Sequence, residues 1–186
     1  MLPLTALKES LPMAVLPALP KVVGSRPYTG NSDGAATGPL LGMDEWIRQA
    51  IKYGAGAFWN NGSYGVRPKR GSESLSVHAT GRAVDLSYRM SEKHPTANRK
   101  GSIAFINIVL ANANELGVEC VLDYFPKAFG RGWRCDRQAW KSYSKPEIHG
   151  APGGDWLHVG VAPAFVNQPL SLIQQAFKRV FTELSQ

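Results

Sequence analysis

The stretch "SVHATGRAVD" (76–85) sets His78 and Asp85 seven positions apart, with Gly81 between them and few bulky apolar side chains. It reads as a turn leading into a strand. Gly81 has no Cβ and gives the backbone the freedom a turn needs. From Ala83 the chain alternates through "AVDLSY" (83–88), so Asp85 projects on the same face as Ala83, whose small side chain leaves room beside it. A buried polar pair is one outcome of such a pattern. The other is a shared metal ion, because a catalytic zinc usually takes three ligands from His, Asp and Glu and keeps a fourth position for water.

The third ligand has to come from elsewhere. Beyond His78 the chain has only His94, His149 and His158. His158 lies inside the strand-like "DWLHVGVA" (155–162), a rigid place for a ligand. His94 precedes a proline in the polar loop "MSEKHPTANRKG" and is expected in solvent. His149, in "PEIHGAPGG", is a candidate for a supporting or substrate-contacting role.

Around this stretch the chain reads as one α+β domain of 186 residues with an arm in front of it. Residues 1–41 hold six prolines and "TGNSDGAATG", which leaves little room for helix or sheet, so an extended arm is expected there and the domain proper over 42–186. A helix capped by Asp44 carries Trp46, Ile47, Ala50 and Ile51 at helical spacing. "GSYGVRP" is expected as a short strand or turn. A second helix repeats Ile103, Ile106, Val109, Leu110, Ala113 and Leu116 and ends at Gly117. "VECVLDYF" (118–125) is a strand, and "PKAFGRGWR" a loop or hairpin turn. The last segment, "PLSLIQQAFKRVFTEL", is an amphipathic helix with Leu172, Ile173, Ala176, Phe177, Val180 and Phe181 on one face. The architecture expected is a small antiparallel sheet carrying the metal site, flanked by helices.

Composition narrows the partners. A net charge of +7 points to an anionic one, and nucleic acid, acidic lipid and a carboxylate- and phosphate-rich bacterial wall all qualify. The basic stretches "RPKRG" and "PKAFGRGWR" sit in no recognisable nucleic-acid module, so nucleic acid is not expected. No run reaches the roughly 18 apolar residues that span a bilayer, so no membrane insertion is expected. The start has no basic region ahead of an apolar core and is not read as an export signal. Two cysteines, Cys120 and Cys135, are too few for a disulfide scaffold and are expected as packed, reduced thiols.

Ser76, His78, Gly81, Ala83 and Asp85 fit S-x-H-x-x-G-x-A-x-D, and Asp155 with His158 makes a later D-x-x-H. This resembles the group of zinc peptidases named for lysostaphin, the D-Ala-D-Ala metallopeptidases and sonic hedgehog. It looks most like the D-alanyl-D-alanine carboxypeptidase and L-alanyl-D-glutamate endopeptidase branch, which includes phage endolysins. The likeness covers about residues 60 to 162, with Gly65 and Arg67 on the upstream G-x-R. It implies His78, Asp85 and His158 as zinc ligands, Asp155 as general base in place of the usual glutamate, and Arg67 as the group that steadies the substrate carbonyl. Ser76 would support the metal site, and Trp156 stands one place earlier than the family tryptophan, with Leu157 in its position. Strict alternation puts Asp155 and His158 on opposite strand faces, so Glu147 or His149 is the fallback base, unless Gly153 and Gly154 bend the chain.

The resemblance further implies zinc-dependent hydrolysis of stem peptides in bacterial peptidoglycan, by an endolysin-type endopeptidase or a D,D-carboxypeptidase; a monomer is expected, made in the cytoplasm of an infected bacterium and acting on the wall after release. Two rivals are kept. One is a zinc-holding wall- or protein-binding module without hydrolysis, suggested by the aspartate at 155. The other is a cysteine peptidase using Cys120 or Cys135 with His149.

Overall fold

The alternating segments around residues 83–88, 118–125 and 155–162 come together as the middle of one antiparallel sheet. The structure, a computed structural model, describes residues 24–69, 71–145 and 153–182. Most of the proline-rich arm, Glu147 and His149 lie outside the described residues. In chain order the elements are α1 (Leu41–Tyr53), β1 (Trp59–Gly62), a 3-10 turn (Val77–Thr80), β2 (Ala83–Ser87), α2 (Arg99–Ala111), β3 (Val118–Asp123), β4 (Arg131–Arg134), β5 (Ala139–Ser142), β6 (Trp156–Val161), α3 (Pro163–Val166) and α4 (Leu170–Thr182). The strands lie in the order β1-β2-β6-β3-β4-β5 and every neighbouring pair is antiparallel. The fold is α+β. No helix among the described residues is long and apolar enough to cross a membrane.

Register decides which side chains share a face. Val84 pairs with Val159, Leu86 with Leu157, and Val121 with Val159. All five are buried, and they join Trp46, Phe105, Ile106, Val109 and Phe177 from the helices in one core. Each fully buried side chain of this size contributes about 1.5–3 kcal/mol, so the helix-covered face holds the register. The residues between them point the other way. There Asp85 pairs with His158, Leu122 with His158 and Cys120 with Gly160.

Several local expectations need correction. Asp44 does not cap α1: the capping position is Leu40, with no side-chain bond, and Asp44 sits in the first turn, where its charge suits the helix dipole. α2 stops at Ala111 rather than running to Gly117, because the Asn112 side chain bonds back to the Ile108 carbonyl and the chain turns through 112–117. Leu172 is 44% exposed, which leaves Ile173, Ala176, Phe177 and Val180 as the buried stripe of α4. "GSYGVRP" holds no strand past Gly62 apart from an isolated bridge at Pro68. The edge strand β5, "AWKS", has no counterpart in the sequence reading, being four residues long and mostly exposed. Cys120 and Cys135 are free thiols.

Residues 24–40 contain neither helix nor strand, yet they are tied to the sheet. Arg82 is 1% exposed, and its Nε and Nη2 donate to Asp33 at 2.7 and 2.8 Å. Its other bonds go to the carbonyls of Gly30 and Val161. Arg26 adds bonds to Asn114 and to the carbonyls of Ala113 and Val118. Hydrogen bonds made by a charged group contribute about 1.5–3 kcal/mol each, and these bonds hold the segment against the sheet.

Gly81 sits in the left-handed region at φ +73°, and a Cβ there would come within 2.9 Å of Leu40 Cγ. Gly81→Ala is therefore expected to lower stability by about 1–3 kcal/mol, measured as an earlier denaturation midpoint. An unchanged midpoint would show that the turn is not strained.

Candidate metal centre

Three elements deliver the three side chains. Asp85 stands in β2 directly opposite His158 in β6. The 3-10 turn before β2 carries His78. Ser76 caps that turn by accepting the His78 backbone N–H at 3.3 Å, and Gly81 closes it by donating its own N–H to the His78 carbonyl. The result is a near-equilateral triangle of ligand atoms. His158 Nδ1 is 3.1 Å from His78 Nε2 and 3.1 Å from Asp85 Oδ1, and His78 Nε2 is 3.3 Å from the same oxygen. Bonds of about 2.0 Å in a tetrahedral site put ligand atoms about 3.3 Å apart, so the spacing fits one small divalent ion. His78 Nδ1 meets the Ser63 carbonyl, and as donor there it leaves the Nε2 lone pair facing the triangle. His78, Asp85 and His158 thus form a candidate metal site.

The protonation states agree with that use. Burial alone would raise the Asp85 carboxyl, but the His158 and His78 rings beside it outweigh this and hold it well below the usual carboxylate range. Burial pushes His158 below its ordinary 6.5, Asp85 opposes this, and the nearby charges of His78 and Arg67 push it further down. A neutral imidazole and an ionised carboxylate are the forms that bind metal.

The triad lines a cavity of about 440 Å³. Arg67, Ser76 and Trp156 line it as well, and the Trp156 ring lies 4.8 Å from that of Tyr124. Ser76 acts on the site through the backbone of His78. Asp155 is placed differently. It immediately precedes β6, and its carboxylate is not among the groups that converge. Instead it accepts two hydrogen bonds from Arg89, at 2.7 and 3.2 Å, at the surface. The Gly153–Gly154 approach leaves its backbone carbonyl bonded to Tyr88 N–H and Ser87 Oγ. His94 stacks on Trp59 with ring centroids 4.7 Å apart and takes no part in the triad.

Other cavity residues escaped the sequence reading: Tyr28 from the arm, Lys69, Leu122, Tyr124, Arg134 and Tyr143, while Cys120, considered there only as a nucleophile, also lines the wall. Cys120, Leu122 and Tyr124 share one parity of a strand, but that signal becomes useful only once β3 is known to pair with β6. Tyr28 and Arg134 carry no local signal. No family model matches the chain, and no curated protein or solved structure matches it either.

The chain should take up one divalent ion per molecule, and His158→Ala should abolish this. Because burial lowers the His158 pKa, protonation that expels the ion should begin only below pH 6.5. Metal content after dialysis at stepwise lower pH reads this directly. Loss that starts above pH 6.5 would contradict the assigned state of His158.

Proposed function

We propose that this chain is a zinc peptidase that hydrolyses the stem peptides of bacterial peptidoglycan. The observation that carries the reading is the triangle of His78, Asp85 and His158 on the wall of a 440 Å³ cavity. Three nitrogen and oxygen ligands facing open space are the donor set of a catalytic rather than a structural zinc. The S-x-H-x-x-G-x-A-x-D likeness and the net charge of +7 support a wall-peptide substrate.

A zinc ion bound there would supply a nucleophilic hydroxide near neutral pH. The residues of the chain do the rest. His78, His158 and the ionised Asp85 would hold the ion. Arg67 on the cavity wall would offer its guanidinium to the substrate carbonyl oxygen as that oxygen gains charge. Asp155 would accept the proton after leaving Arg89. Its carboxylate is not among the cavity-lining groups, so the step also requires the start of β6 to turn it toward the metal; breaking the exposed ion pair itself costs at most about 1 kcal/mol.

The Arg89–Asp155 pair is also the observation that favours the second reading, a metal-holding module without hydrolysis. Cysteine chemistry is disfavoured: burial pushes the Cys120 thiol up to about 11 and raises Cys135 as well, the reverse of an activated nucleophile.

Purified peptidoglycan incubated with the zinc-loaded protein should yield new peptide termini by mass spectrometry, and a chelator should abolish them. Asp155→Asn should reduce turnover about 10²–10⁴-fold while zinc content stays at one per chain. Absence of any cleavage at full zinc loading would favour the binding module.

A further inference from the structure

We propose that Arg134, held in place by Tyr28, determines the specificity of this cavity by binding a carboxylate of the substrate. The inference rests on the peptidase reading but on different residues. Arg134 occupies no position of the metal motif, and Tyr28 lies outside the 60–162 stretch that carries the resemblance.

Among the described residues the cavity is lined by Arg67, Lys69 and Arg134 but by one carboxylate, Asp85, which the metal would take. Of the three, Arg134 is the one held by described side-chain contacts. Its guanidinium carbon stands 4.0 Å from the centroid of the Tyr28 ring. Its Nε and Nη2 donate to Asp136, and no described residue accepts from Nη1. A guanidinium stacked on a ring and held along one edge has already lost most of its rotamer freedom, so a further hydrogen bond from Nη1 costs little ordering.

Tyr28 is fixed in turn. Its neighbour Thr29 donates its N–H to the buried Glu119 at 3.2 Å, and Arg26 and Asp33 tie the flanking segment to the sheet. Burial, with Cys120 beside it, raises the Tyr28 phenol pKa, so the ring adds no negative charge that would neutralise Arg134. With the Nε–Nη2 edge taken by Asp136, Nη1 can donate one charge-assisted bond to a substrate carboxylate, and bonds of this kind exceed neutral ones in strength. Arg134 therefore selects peptides with a free carboxylate close to the scissile bond, and Tyr28 is its positioning residue.

The test uses the full chain and two synthetic stem pentapeptides that contain D-amino acids, one with free carboxylates and one fully amidated. Binding is measured by calorimetry on the metal-free protein, and cleavage is measured separately on the zinc-loaded protein. Wild type should bind the carboxylate peptide about tenfold or more tightly than the amidated one, the scale of one charge-assisted hydrogen bond. Arg134→Gln should bring that ratio to about one. Tyr28→Phe keeps the ring and should preserve the ratio, whereas Tyr28→Ala should lose most of it.

A merely structural role for these residues would weaken both peptides equally and leave the ratio intact, and that result would overturn the proposal. So would a wild-type protein that does not discriminate, or that binds neither peptide. Should Arg134→Gln fail to fold, the comparison of Tyr28→Phe with Tyr28→Ala decides the matter by itself. Discrimination in binding without cleavage of either peptide would sustain this inference while refuting hydrolysis.

Discussion

The antiparallel pairing of β2 with β6 is the constraint on which the rest depends. It sets Asp85 against His158, the two strand-borne corners of the triangle. Side chains alternate along a strand, so a slip of one residue would send both polar groups into the core and bring Val84 or Leu157 to the cavity. The register is held by apolar burial on the opposite face, where Val84, Leu86, Leu157 and Val159 are all fully buried. Ligand geometry on one face is thus a by-product of hydrophobic packing on the other, and needs no strong interaction of its own.

His78 arrives by a separate device. The Ser76 cap and the left-handed Gly81 shape a single turn that returns the chain over its own strand, with the His78 ring oriented by the Ser63 carbonyl. Between these ligands in sequence lies Arg82, which points away into a buried network with Asp33 and Glu119. The same ten residues therefore supply two of the three corners of the candidate metal centre and fasten the N-terminal arm. That coupling explains how Tyr28, some fifty positions before the motif, comes to form a wall of the cavity.

The motif residues behave as a local code. His78, Gly81, Ala83 and Asp85 are close in sequence, and turn and strand geometry relate them without reference to the remainder of the chain. Three of the four described helices were legible from periodicity, while α3 is too short to show one and the end of α2 was missed: Asn112 terminates α2 by a side-chain bond that a hydrophobic pattern does not register. The position of Asp155 shows the limit from the other side. Strand alternation alone warns that it faces away from His158, but its partner Arg89 follows a different strand, and nothing in the order of residues joins them.

What the sequence alone determined is the class of fold, the turn-and-strand geometry of residues 76–85, and a donor set suited to a divalent ion. The turn-and-strand geometry follows from spacing within a single segment, where backbone geometry acts directly, while the fold class follows from the order of elements and the donor set from two separate segments. Tertiary structure alone decided that β3 lies beside β6, that Tyr28, Lys69 and Arg134 meet the triad in one cavity, and that the Asp155 carboxylate sits with Arg89. Those placements arise from pairings between distant segments, selected by total burial over the whole core, and no stretch of the chain carries that information by itself.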